Sequence, residues 1–157
     1  YEQLGPDTGY DCINNYAPSA QTADFLNSLI ASNELPKTIL YSLNPNDNEA
    51  IGTILGCFQG TEAAGKIQQG SAWWFNDHKY GMESQLATLS SIGMLSTFIG
   101  MLTDSRSFTS FVRHDYFRRI LCGILAQWHD SGEFSGDIGI LAKAICYGNI
   151  KKLIEEK

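Results

Sequence analysis

Apolar residues fall into two rhythms along this chain. Short, nearly unbroken runs such as Thr38-Ile-Leu-Tyr41 and Phe98-Ile-Gly-Met-Leu102 alternate with longer stretches in which apolar residues recur every three or four positions. The first kind marks strands buried on both faces, and the second marks helices with one apolar side. On this basis residues 1–19, rich in Gly, Pro and Asn, read as a loop. A helix is expected over 20–33, with Phe25, Leu26, Leu29 and Ile30 on one face and Ser19 or Thr22 as its cap. A strand over 37–42 leads to a helix over 45–58 that carries Asp47 and Glu49 in its first turn, where the helix dipole favours acids. A second strand over 66–74 leads to a helix over 82–92 closed by Gly93. A third strand over 97–102 precedes a longer helix over 113–129, and 135–155 holds one or two more helices broken at Gly148-Asn149.

The expected strands begin near residues 37, 67 and 97. A period of about thirty residues is that of consecutive β/α units, which implies parallel strands and right-handed crossovers. The fold class is therefore α/β, with 37–157 as three β/α units plus C-terminal helices. Each strand runs into polar or aromatic residues: Ser42-Leu-Asn44, Trp73-Trp-Phe-Asn-Asp77 and Thr103-Asp-Ser-Arg106. Parallel neighbours would bring these ends to one rim, the usual place for chemistry in β/α architectures.

Composition narrows the function classes. The 157 residues carry a net charge of −6, with 11 Lys and Arg and no basic tract, which disfavours nucleic acid as a partner. No apolar stretch approaches the roughly 20 residues that span a bilayer, and the first residues lack the pattern of a signal peptide. The chain does not begin with Met, so a processed or partial product is expected. Cys12, Cys57, Cys122 and Cys146 form no C-x-x-C pair; Cys122 and Cys146 read as buried free thiols, and a reducing cytoplasm is the expected compartment.

Candidate chemistry centres on Asp104 and Arg106. They are either a surface ion pair that stabilises little or an acid and a base displayed at a strand end. Trp73 and Trp74 read either as core packing or, for the one on the rim, as a flat wall for a sugar's C–H face. Strand alternation would send the two to opposite faces. His78, His114 and His129 make no metal pattern, His114 reads as solvated, and phosphate-loop and nucleophile-elbow motifs are absent.

Three blocks carry a more specific signal: Gly70-Ser-Ala-Trp-Trp-Phe-Asn-Asp77, Met101-Leu-Thr-Asp-Ser-Arg-Ser-Phe108 and Arg113-His-Asp-Tyr-Phe-Arg-Arg-Ile-Leu-Cys122. With Leu4-Gly-Pro-Asp-Thr-Gly9 and Pro36-Lys-Thr-Ile-Leu-Tyr41, they resemble the uronate (glucuronate) isomerases of the amidohydrolase superfamily. The resemblance implies a (β/α)8 TIM barrel of which this chain supplies about strands 6–8 with their helices. It implies interconversion of D-glucuronate with D-fructuronate and of D-galacturonate with D-tagaturonate. It makes Asp104 the acid that ends the last strand, beside a divalent metal that is usually zinc, where it can accept a substrate hydroxyl proton. Arg106 becomes the arginine that stabilises the enediolate and binds substrate, and Trp73 a substrate-lining residue.

Aldose–ketose isomerisation needs those elements: a proton route between adjacent carbons and positive charge where the oxyanion forms. The family's remaining metal ligands, an H-x-H pair among them, are not in this chain. Three parallel strands cannot close a barrel, so the rest of the same barrel is the expected partner, within a homo-oligomer. Alone the chain is expected to be inactive. Gln69 stands where the family commonly has an aromatic, and His78 and Tyr80 replace its usual Gln and Asp, which bears on substrate preference. Two other functions stay in view: a metal-dependent hydrolase of the same superfamily, and an inactive truncated homologue serving as a binding or assembly module.

Overall fold

A computed structural model describes residues 19–60, 63–103 and 107–155. Residues 1–18, which hold most of the expected N-terminal loop and Cys12, lie outside them. Helix α1 (Ser19–Ala31) buries Leu26 and leads into strand β1 (Thr38–Leu40). A 3-10 turn at Pro45–Asp47 follows, fixed by Asn44, whose side chain accepts from the Asn46 N–H. It opens helix α2 (Asn48–Cys57), which carries Glu49 in its first turn. Strand β2 (Ile67–Gln69) lies parallel to β1, with Thr38 opposite Ile67 and Leu40 opposite Gln69. Helix α3 (Lys79–Ile92) follows a 3-10 turn at Trp74–Asn76.

Helix α3 begins three residues earlier than the hydrophobic rhythm predicts. His78 is its N-cap, and the ring Nδ1 accepts from the Gly81 N–H at 3.2 Å. A side chain at Gly81 would collide with the Asn76 backbone, so the close approach of turn and helix depends on that glycine. Gly93 is the C-cap, its N–H donating to Leu89 O at 3.0 Å.

The third expected strand requires correction. Residues 98–103 run without ladder pairing, and among the described residues the sheet has two strands. Two causes are visible. Gly100 sits at φ +76°, outside strand geometry, with its Cα facing the Ile145 carbonyl too closely for any side chain. The carbonyls of Ser96 and Phe98 are taken by Asn149 Nδ2, each at 2.8 Å. The segment is instead a core strip, with Phe98 and Met101 buried against Phe117, Leu121 and Ile145.

Helix α4 (Val112–Asp130) spans the long helix expected over 113–129 and buries Phe117, Ile120, Leu121 and Leu125. Cys122 falls off that stripe and is exposed, contrary to the sequence reading, while Cys146 is half-buried. The last helical stretch is not broken at Gly148-Asn149 as expected but widened before it: α5 (Ile138–Lys143) passes through a π-turn at Ala144–Gly148 into α6 (Asn149–Glu155). Asp137 caps α5 by accepting from the Gly139 and Ile140 N–H groups. Two apolar cores result. One joins α1, α2 and the strands through Leu26, Ile51, Leu55 and Ile67; the other joins α3, α4 and the 98–101 strip.

Candidate functional site

Beyond their last ladder residues, β1 and β2 both turn polar, and the structure draws those residues together. Ser42 follows β1, Gln69 ends β2, Asn48 opens α2 and Asn76 ends the Trp74–Asn76 turn; all four are at least 97% buried. Ser42 Oγ donates to Asn48 Oδ1 at 2.6 Å, and Gln69 Nε2 donates to Ser42 Oγ at 3.0 Å and to Asn48 Oδ1 at 3.3 Å. Asn48 Nδ2 donates to Asn76 Oδ1 at 3.2 Å, and Asn76 Nδ2 returns to Ser42 O at 3.3 Å. Gln85 Nε2, from α3, donates to Gly70 O just beyond β2. Buried polar groups are costly unless paired, so this closed set fixes the geometry of the strand ends rather than merely tolerating it. One acceptor, Gln69 Oε1, is buried without a hydrogen-bond partner.

The loop held this way presents the aromatic residues. Phe75 N donates to Leu43 O at 3.0 Å, tying the loop after β2 to the loop after β1. Trp73 is extended (φ −131°, ψ 160°) and half-buried, with its ring edge-on to Tyr41 at 5.1 Å between centroids. Trp74 adopts φ +48° and is 37% exposed. The strand alternation expected to separate the two tryptophans does not operate, because β2 ends at Gln69 and Trp74 already belongs to the turn. What separates them is the left-handed backbone at Trp74, a conformation that is strained for a bulky residue.

The second tie comes from helix α4. Arg113 forms a hydrogen-bonded ion pair with Asp77, both about a quarter to a third exposed, which sets the start of α4 beside the loop after β2. His114 lies one residue on. It is half-buried rather than solvated, and burial, then the charges of Arg118 and Arg113, push its pKa below the usual histidine value. Burial likewise raises the Cys146 thiol, against a weaker opposing pull from Arg118.

Of the expected site residues, the structure thus places Trp73 on the rim of β1 and β2, against Tyr41. Asp104 and Arg106 lie outside the described residues. The buried amide network was missed in the sequence. Its signal was present in Gln68-Gln69, two amides inside a run read as a buried strand, and in Ser42, Asn44 and Asn48 around the end of β1. What the described rim offers is an aromatic wall and a neutralised ion pair. Asp77 is committed to Arg113 and His78 Nδ1 to the cap of α3. Among the described residues no cluster of three or more His, Cys, Asp or Glu side chains is arranged to hold a metal.

Comparison with known proteins gives a consistent result. The family model described as glucuronate isomerase matches residues 1–154. A uronate isomerase of Lachnospira eligens is 61% identical over 145 residues, which is 92% of this chain and 31% of that protein. That of Endomicrobium trichonymphae is 59% identical over 145 residues, again 92% of this chain and 31% of the other. The crystal structure of a uronate isomerase from Thermotoga maritima superposes with a TM-score of 0.76 at 32% identity, over 97% of this chain and 32% of that one. The chain thus spans about a third of the length of the curated relatives it matches.

Proposed function

Since this chain belongs to the glucuronate isomerase family, we propose that it supplies the C-terminal part of a uronate isomerase active site, acting in the aldose–ketose isomerisation of D-glucuronate and D-galacturonate. The observation that carries the reading is the placement of Trp73, the one expected site residue within the described part, on the rim where parallel β1 and β2 end. In this reading β1, β2 and the 98–103 segment lie along the last three strand positions of a (β/α)8 barrel, and the other strands come from outside this chain.

Each residue's role follows from the reaction. The carbon beside the carbonyl gives its proton to a base from outside this chain, negative charge develops on the carbonyl oxygen, and the proton is returned to the former carbonyl carbon. Arg106 stabilises that oxyanion, since a fixed guanidinium needs no reorganisation as the charge forms. Asp104 accepts the proton of a substrate hydroxyl. Trp73, held edge-on by Tyr41, packs against the apolar face of the sugar ring. The buried Ser42, Asn48, Gln69 and Asn76 set the position of that wall. The described residues do not form a metal site. In this reading a divalent metal, zinc, would take Asp104 and otherwise ligands from outside this chain, and would supply positive charge beside the substrate oxygens. Exposed Phe108, Phe111 and Val112 at the start of α4 support a covering partner surface, from the rest of the barrel or a second subunit.

The test is kinetic and uses a complete polypeptide carrying this sequence. Asp104→Asn and Arg106→Met should each lower kcat by at least about 100-fold, the range for losing a proton-transfer or oxyanion group. Trp73→Ala should mainly raise KM. Formation of a hydrolysis product in place of a ketose, or near-parental turnover in both the Asp104 and Arg106 variants, would overturn the assignment.

A further inference from the structure

Along β2 lies a cavity of about 390 Å³ whose lining takes in Gln69 of the amide network but none of Tyr41, Trp73 and Trp74. Its walls come from the C-terminal halves of α2 and α3, from β2, and from the segments that enter β2 and the 98–103 strip; Leu55, Ile67, Leu89, Ile92, Met94 and Phe98 supply most of its apolar surface. The floor is made of small residues. Gly52, Gly56, Ala63, Ala64 and Gly65 bring no bulk of their own; Ile92 and Gln68 pack directly against Gly52 and Gly65, and the position at Gly56 is open. A volume of this size falls in the range of small-molecule sites. Among the described residues, all those that line it lie between 52 and 98.

Two features point to a ligand and to its class. None of the lining side chains among the described residues is charged, so the site is not matched to a sugar acid. Gln59 lines the wall, but its Nε2 is committed to Leu55 O at 3.1 Å and Ile67 O at 2.9 Å. Gln68 differs. It is 7% exposed, its amide end lies against Gly65 of the same wall, and its Oε1 is buried with no hydrogen-bond partner; Gln69 Oε1 is unpartnered too, but the Gln69 amide is turned into the Ser42 and Asn48 network. A buried acceptor left unpaired costs free energy that a donor entering the cavity would recover. We infer that this cavity is a second small-molecule site, separate from the Trp73 wall, for a compact, neutral, largely apolar molecule with one hydrogen-bond donor directed at Gln68.

Phenol and toluene probe this directly, because they share a shape and differ in the donor. In a complete polypeptide carrying this sequence, calorimetric titration and crystal soaking should show both in the cavity, phenol about 2- to 13-fold tighter, the range of one net hydrogen bond. Gln68→Leu should abolish that preference while toluene still binds. Gly56→Trp should block both probes without lowering the thermal midpoint, because no neighbouring atom lies within 4 Å of the position a Cβ would take there. Binding of neither probe to the parent protein would overturn the inference. So would equal affinities in the parent, which would mean that Gln68 Oε1 serves the adjoining 70 Å³ pocket instead.

Discussion

Replacing Asn76 with leucine would remove both the acceptor of Asn48 Nδ2 and the donor that reaches Ser42 O. Each group left behind is buried, and each orphaned partner costs about 1–3 kcal/mol. Asn76→Leu should therefore destabilise by more than about 2 kcal/mol in chemical denaturation. It should also raise KM for the uronate, because the turn that carries Trp74 ends at Asn76 and Trp73 caps that turn. A variant with parental stability would show that water replaces the lost amide. At this scale the sequence is legible in type but not in partner. Two glutamines in a strand-like run announce buried amides, yet nothing local says that Gln69 Nε2 joins Ser42 and Asn48 while the side-chain oxygens of both Gln68 and Gln69 stay unpaired. Burial state is equally non-local for Cys122, which lies on an apolar-looking helix but off the stripe that packs.

Among the elements, the 98–103 segment is the informative one. Its composition is that of a strand, and its glycine decides otherwise. Gly100 at φ +76° faces the Ile145 carbonyl, so Gly100→Ala introduces both backbone strain and a steric clash. The expected result is a loss of about 1–3 kcal/mol, of the order of one strained backbone position, read as a lowered denaturation midpoint. A neutral or stabilising outcome would mean that the segment can take regular strand geometry. The helices, by contrast, read well from the chain: α4 lies within a residue of its expected bounds at each end, and α2 opens behind Pro45 with Glu49 in its first turn. Helix α3 starts early because His78 supplies a cap, which hydrophobic spacing does not register.

At the scale of the molecule, the described residues form a two-stranded parallel sheet with helices and two cores, and apolar surface remains open just before α4, where Phe108 is 90% and Phe111 63% exposed. Residues 1–157 produced alone should self-associate on size exclusion and show no uronate turnover. A monodisperse 17.3 kDa monomer would instead favour an independent module. The parallel sense of β1 and β2 and the approximate places of the helices were determined by the sequence itself, because burial rhythm and crossover handedness act over short stretches of chain. Family membership was legible too, from contiguous blocks. The tertiary structure alone decided where ladder pairing stops, how Trp73 meets Tyr41, and which polar groups are spent. Those outcomes depend on residues distant in sequence, Asn149 taking the carbonyls of Ser96 and Phe98 and Arg113 taking Asp77, and no local pattern encodes which distant group arrives first at a shared donor or acceptor.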